Sequence, residues 1–266
     1  SDPFNALPKR NLMQFRSSAE KAVLFSTVRL AYKIGLRPAY GTGFLIELPH
    51  GSGHAIVSNR HILKAGGLTE ISADFRVGTF NSPIAFTIKL NPNNVLVHPD
   101  PFIDLALIPI NDILSEHPDI LFSPLSTKDI PRDWNTLYAT EFLISAGYPN
   151  GLMDGKTATP VIRHGASSTP ISLDFGDSPC FLADIAVFGG ASGSPVFLSH
   201  LQNPTSSMGV YLDKLVLLGI QSSAMTMPIN ASFRNTWTTI DTPIHLAKII
   251  KSSELLRLPL LSDTRF

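Results

Sequence analysis

The apolar runs in this chain are short, and that limits its fold more than any other feature. Gly and Pro, 18 and 21 of them in 266 residues, cut the sequence into brief stretches. The stretches at 40–48, 55–59, 80–90, 95–98 and 105–110 read as strands bounded by turn residues. A second series follows at 141–147, 160–164, 181–187, 195–198 and 215–221. Helical spacing is clear only near the end. Ile244, Ala247, Lys248, Ile250 and Lys251 suit a helix that starts after Asp241-Thr242-Pro243, where Asp or Thr caps and Pro enters the first turn. A shorter helix is expected over about 9–22. Many short strands separated by turns predict an all-β chain of barrels or a sandwich. The polar, Pro-containing stretch 123–133 splits it into two strand-rich halves. The expected layout is an N-terminal extension (1–21), a first β unit (22–122), a second ending in a helix (123–252), and a tail (253–266).

Composition narrows the function. With 44% hydrophobic residues the chain is not disordered. A formal net charge of zero argues against nucleic acid or an anionic membrane as partner, since both call for a basic excess. No apolar window is long enough to span a membrane. Cys180 is the single cysteine, so no internal disulfide is expected and a reducing, cytoplasmic setting is favoured. The chain opens Ser1-Asp2-Pro3-Phe4 without a leader; removal of a leader, and hence a secreted or periplasmic setting, stays open.

One stretch concentrates chemistry: Gly189-Gly190-Ala191-Ser192-Gly193-Ser194-Pro195. Glycines flanking a serine let the backbone take positive φ and approach a ligand closely. They also allow the N–H groups of Gly190 and Ser192 to face one small space. There they would stabilise an oxyanion while the Ser192 hydroxyl attacks the carbonyl carbon. A serine nucleophile needs a base, and the base needs an orienting acid. His61 follows the apolar stretch 55–59. Asp104 opens Asp104-Leu105-Ala106-Leu107-Ile108-Pro109-Ile110, and an acid at the mouth of a buried strand is costly unless paired. Taken singly, these are also a Gly/Ser turn, a solvated histidine and a loop-capping aspartate. Taken jointly, in the order His, Asp, Ser and each at a strand edge, they form a catalytic constellation. Asp100, between two prolines, is a rival acid; Ser194, with no glycine after it, is a rival nucleophile.

Here the sequence resembles the chymotrypsin-like, or trypsin-fold, serine peptidases. The matching segments are Gly41-Thr42-Gly43-Phe44-Leu45-Ile46, the strand ending in His61, Asp104-Leu105-Ala106-Leu107 and Gly190-Ala191-Ser192-Gly193-Ser194-Pro195. The resemblance covers roughly 22–225. Gly147-Tyr148-Pro149-Asn150-Gly151-Leu152 and Asp184-Ile185-Ala186-Val187 are similar to loops of bacterial high-temperature-requirement proteases. The Ser-Gly-Ser-Pro ending resembles glutamyl endopeptidases. The family implies two six-stranded antiparallel β-barrels, with His61 and Asp104 from the first and Ser192 from the second. It implies a serine endopeptidase acting on polypeptide substrates without a cofactor or metal. In pancreatic-type enzymes an acid just before the nucleophile binds the newly cut N-terminus. Here Ala191 stands in that place, so activation by N-terminal insertion is not expected.

The resemblance also suggests a specificity pocket. Ala186 and Val187 would form its floor, and Gln221, Ser222, Ser223 and Ala224 its wall. Ser222 to Ala224 would offer a strand edge to the substrate backbone. Gln221 occupies the place of a histidine in glutamyl endopeptidases. With no acid on the floor, cleavage after Lys or Arg is disfavoured. A small or medium apolar residue before the scissile bond is expected, with Gln or Glu second. The competing readings are a catalytically silent binding module of the same fold, and the protease arm of a larger assembly with partner proteins or further domains. Three other motifs carry less. Gly151 to Thr157 imitates a phosphate-binding loop but is one residue short. His50 and His54 lack the further ligands a zinc site needs. Asn230-Ala231-Ser232 is a lone sequon.

Overall fold

Strands that are buried on both faces read as unbroken apolar runs, and three of them form the centre of the first half. These are β2 (Arg37–Glu47), β3 (His54–Ser58) and β7 (Ala106–Pro109). The computed structural model describes residues 12–15, 17–199, 215–233 and 236–262. Along β2 the side chains alternate between two cores. Leu45 joins Ile56 in the interior of the first half, whereas Phe44 and Ile46 enter a cluster shared with the second half. The other strands of the first half are β1 (Thr27–Ile34), β4 (Leu68–Thr79), β5 (Ser82–Lys89) and β6 (Leu96–Val97). The sheet is antiparallel in the order β5-β4-β1-β2-β3-β7-β6, a seven-stranded sheet where a six-stranded barrel was expected. The short helices are α1 (Ser18–Phe25), α2 (Arg60–Leu63) and α3 (Asn111–Glu116).

The second half closes into a six-stranded barrel, β10-β13-β12-β11-β8-β9. Its strands are β8 (Phe142–Gly147), β9 (Val161–Ser167), β10 (Cys180–Asp184), β11 (Pro195–Leu198), β12 (Leu217–Phe233) and β13 (Thr236–Lys251). Leu143, Phe181, Ala183, Val196, Leu218, Ala247 and Ile249 fill it. The all-β expectation therefore holds. The third cluster lies between the halves: Phe44, Val57, Leu107 and Leu125 meet Phe197, Leu217, Ile220, Ile250 and Leu255.

Three expectations need correction. The helix placed over 244–251 is strand β13. Ala247 and Ile249 point into the barrel core at a spacing of two, and the segment pairs with both β10 and β12. Pairing on both sides overrides the helical spacing; a short 3₁₀-helix of six residues, Ser252–Arg257, follows instead. Within the expected tail, residues 253–262 are packed, with Leu255, Leu258 and Leu261 buried in the shared core. The N-terminal helix is Ser18–Phe25, capped by Ser17, whose hydroxyl accepts from the Glu20 N–H. Residues 12–15 of the expected 9–22 are not helical, and 9–11 and 16 lie outside the described residues.

Candidate active site

His61 is placed by the end of a buried strand. β3 stops at Ser58, and Asn59 begins the single turn of α2. Ile62 and Leu63 of that turn are buried, which leaves the neighbouring His61 ring facing out, 48% exposed. The same turn is tied to Asp104: Asn59 Nδ2 donates to the Asp104 carbonyl at 2.9 Å. The Asp104 carboxylate then holds His61 twice. Oδ1 accepts from the His61 backbone N–H at 3.0 Å, and Oδ2 lies 2.6 Å from Nδ1. Ser222 Oγ donates to the same Oδ2 at 3.0 Å. Ser192 Oγ donates to the Ser222 carbonyl at 2.8 Å. His61, Asp104, Ser222 and Ser192 are thus linked in one chain of contacts, but Ser192 bonds to Ser222 rather than to His61. The rivals stand apart. Asp100 accepts from the Phe102 N–H within its own turn, and the Ser194 side chain is fully buried against Gly147.

The turn that carries Ser192 is held from the first half by Thr42. The Thr42 N–H donates to the Ser192 carbonyl at 2.9 Å, and its hydroxyl donates to the Gly190 carbonyl at 2.9 Å. That hydroxyl also accepts from the Tyr148 N–H, and Ser58 Oγ donates to the Thr42 carbonyl. Gly193 is required: at φ +86° a Cβ would overlap the Thr42 carbonyl and Ser58 Oγ. The Asn150 N–H takes the Gly189 carbonyl. A trans peptide directs its N–H opposite to its C=O, so the Gly190 N–H points away from Asn150. No acceptor among the described residues takes the Gly190 or Ser192 N–H.

Two of the expected pocket residues, Ala186 and Gln221, meet an unforeseen one. Ala186 is exposed and Val187 half-buried, Gln221 and Ser222 are buried, and Ser223 is exposed. Between floor and wall lies Arg163 of β9. Its guanidinium donates to the Ala186 carbonyl and, at 3.3 Å, to Gln221 Oε1. The floor is therefore not simply apolar. A cavity of about 740 Å³ opens beside Arg163, lined also by Arg29, Asn150 and Phe188.

The trypsin-like peptidase domain profile matches residues 41–202. The chain belongs to the trypsin-like peptidase family. Solved structures agree on the fold. This peptidase is 15% identical to a structure described as HtrA-type protease AlgW with tripeptide, with a TM-score of 0.51 over 89% of its own length and 59% of the other chain. It is 15% identical to the serine endoprotease from Yersinia pestis, with a TM-score of 0.53 over 94% of its length and 68% of the other. The peptidase thus spans less than two thirds of the AlgW chain. No curated protein sequence matches it. Among the described residues no helix is long and apolar enough to cross a membrane, and no three metal-ligating side chains converge.

In the peptidase, burial opposes the charge on Asp104. The His61 ring contact, the charge interaction with that ring, the His61 N–H and the Ser222 hydroxyl together outweigh it and hold the carboxyl below the usual aspartate value. In sequence, Gly41-Thr42-Gly43 is only a family-like segment; the Thr42 hydroxyl makes it structural support for the Ser192 turn. Thr42→Val keeps the shape and removes both hydroxyl contacts. At about 0.5–1.5 kcal/mol per lost hydrogen bond, kcat falls by roughly 10- to 100-fold while KM changes little. Steady-state kinetics checks this, with an unchanged kcat counting against the role.

Proposed function

We propose that the peptidase hydrolyses peptide bonds through an acyl-enzyme on Ser192, with His61 as base and then acid and Asp104 as the orienting acid. The observation that carries this reading is the double grip of Asp104 on His61. A carboxylate on Nδ1 fixes the tautomer with the proton there, leaving Nε2 free to accept the Ser192 proton. In the resting arrangement the Ser192 hydroxyl is engaged by the Ser222 carbonyl. A substrate strand pairing with 222–224 supplies its own N–H to that carbonyl, and Ser192 turns to His61. The proton passes to Nε2 as Oγ bonds the carbonyl carbon. The resulting oxyanion is met by the N–H groups of Gly190 and Ser192, each worth about 2.7–4 kcal/mol in comparable sites. His61 then protonates the leaving amine, and water repeats the sequence in reverse. The buried methyl of Ala191 offers nothing to an ammonium group, so the site is not completed by an inserted N-terminus. Its partner is a polypeptide substrate.

A fluorophosphonate tests this directly. One label per chain on Ser192 is expected, falling to background in His61→Ala. Folded wild-type protein that takes no label overturns the reading in favour of a silent binding module.

A further inference from the structure

Arg163 is a cation without a counter-charge. Its guanidinium bonds only neutral oxygens, the Ala186 carbonyl and Gln221 Oε1, and its Nε is buried with no partner. No carboxylate pairs with it among the described residues. Burial accordingly pulls its pKa below the usual arginine value. Withdrawing a cation from water is costly unless an anion meets it.

Its neighbours want an acceptor too. Gln221 turns Oε1 toward the guanidinium, so its amide orientation is set: the flipped amide would oppose donor to donor. Gln221 Nε2 is left buried and unpaired. Ser145 stands directly opposite Arg163 in the β8–β9 register, and its hydroxyl is likewise buried without a partner. Arg163 Nε, Gln221 Nε2 and Ser145 Oγ are thus three buried groups able to donate, beside an unpaired positive charge. Folded proteins leave few buried polar groups unpaired, so such a cluster calls for an acceptor from outside the chain. The adjoining cavity agrees in sign: Arg163 lines it with neither Asp nor Glu, while the other lining cation, Arg29, is paired with Asp74.

Position identifies where that acceptor arrives. The two residues Arg163 bonds are the expected floor and wall of the pocket. The Gln221 carbonyl also accepts from the Gly193 N–H at 2.8 Å, one residue from the nucleophile. We propose that Arg163, assisted by Gln221, is the specificity-determining residue of the peptidase and selects an acidic side chain immediately before the scissile bond. The proposal rests on the serine-peptidase reading of the site and replaces the apolar preference expected from Ala186 and Val187. An apolar side chain would leave every one of these donors unpaired. A glutamine would supply an acceptor but leave the charge unmatched. A lysine would add a second cation.

The test uses peptides identical except for Glu, Asp, Gln, Leu or Lys before the cleaved bond, with fluorophosphonate labelling of the same wild-type preparation. The better of Glu and Asp is expected to exceed Leu and Gln by at least ~100-fold in kcat/KM, with no cleavage after Lys. In Arg163→Met the acidic-to-Leu ratio is expected to collapse to about 1, and in Arg163→Lys to retain part of the preference. The wild-type profile decides the matter even if Arg163→Met does not fold. A protein that takes the label but cleaves best after Leu or Gln overturns the acidic preference alone. A uniform loss across all peptides in Arg163→Met, with the ratio kept, overturns it as well and makes Arg163 a structural support. Absence of labelling overturns the serine-peptidase reading itself, and this proposal with it.

Discussion

Ser192→Ala is expected to lower kcat by about 10⁶, the loss seen when a serine nucleophile is removed from a comparable triad. The reason is local. In the proposed arrangement Ser192 is the nucleophile, and its neighbours are poor substitutes among the described residues: Ser194 is buried beside Gly147 and Ser222 donates to Asp104. The substitution leaves the turn intact. The Ser192 carbonyl keeps its bond from Thr42, and the Gly193 N–H keeps its bond to Gln221. Binding should survive, so KM stays within a few-fold while turnover and fluorophosphonate labelling vanish. Single-turnover kinetics on a good substrate checks this. Activity retained within tenfold would point to another nucleophile.

Asp104→Asn is the second large effect, expected at about 10⁴ in kcat. The two carboxylate oxygens face different partners. Oδ1 meets the His61 backbone N–H, so the asparagine must place its oxygen there. Its NH₂ then faces Nδ1 and the Ser222 hydroxyl. An N–H donated to Nδ1 forces the ring proton onto Nε2, where it blocks the transfer from Ser192. The same substitution alters acid stability. The folded-state pKa of Asp104 is lowered, so its stabilising contribution is full above the ordinary value of about 3.9 and is lost as pH falls through the folded value. The stability difference between wild type and Asp104→Asn should therefore shrink below about pH 4. Denaturant unfolding at several pH values measures it, and a difference constant down to pH 2 would contradict the assignment.

The parts visible in the sequence were those whose signal is local. β2, β3 and β7 announce themselves as apolar runs because both faces are covered. Gly190 and Gly193 stand out because their positive φ values, +83° and +86°, suit only glycine comfortably. What stayed hidden depends on pairing across the chain. β1 and β4 carry Arg29, Lys33, Glu70, Asp74 and Arg76, and they read as polar segments. Their charges are satisfied only once the strands meet: Arg29 lies 2.7 Å from Asp74, and the buried Arg76 donates to Thr27, Tyr148 and Ala158. Arg163 escaped notice for the same reason. Nothing in Val161-Ile162-Arg163-His164 says that the arginine meets Ala186 and Gln221, because the burial along β9 does not alternate. In β13, Ile244, Ala247 and Lys248 fall at a helical spacing, whereas the residues that enter the core, Ala247 and Ile249, fall at a strand's.

The apolar cluster between the halves has a mechanical consequence. Phe44, Val57 and Leu107 are packed against Phe197, Leu217 and Ile250, and Leu255 seals them from the C-terminal side. Swinging one half away from the other would expose this surface to water, so rigid-body opening of the molecule is disfavoured. The scissor motion by which many two-lobed enzymes admit substrate is therefore unfavourable for this one. Adjustment to an incoming polypeptide is expected in the loops around 149–155 and 186–193 rather than in the packing of the two halves.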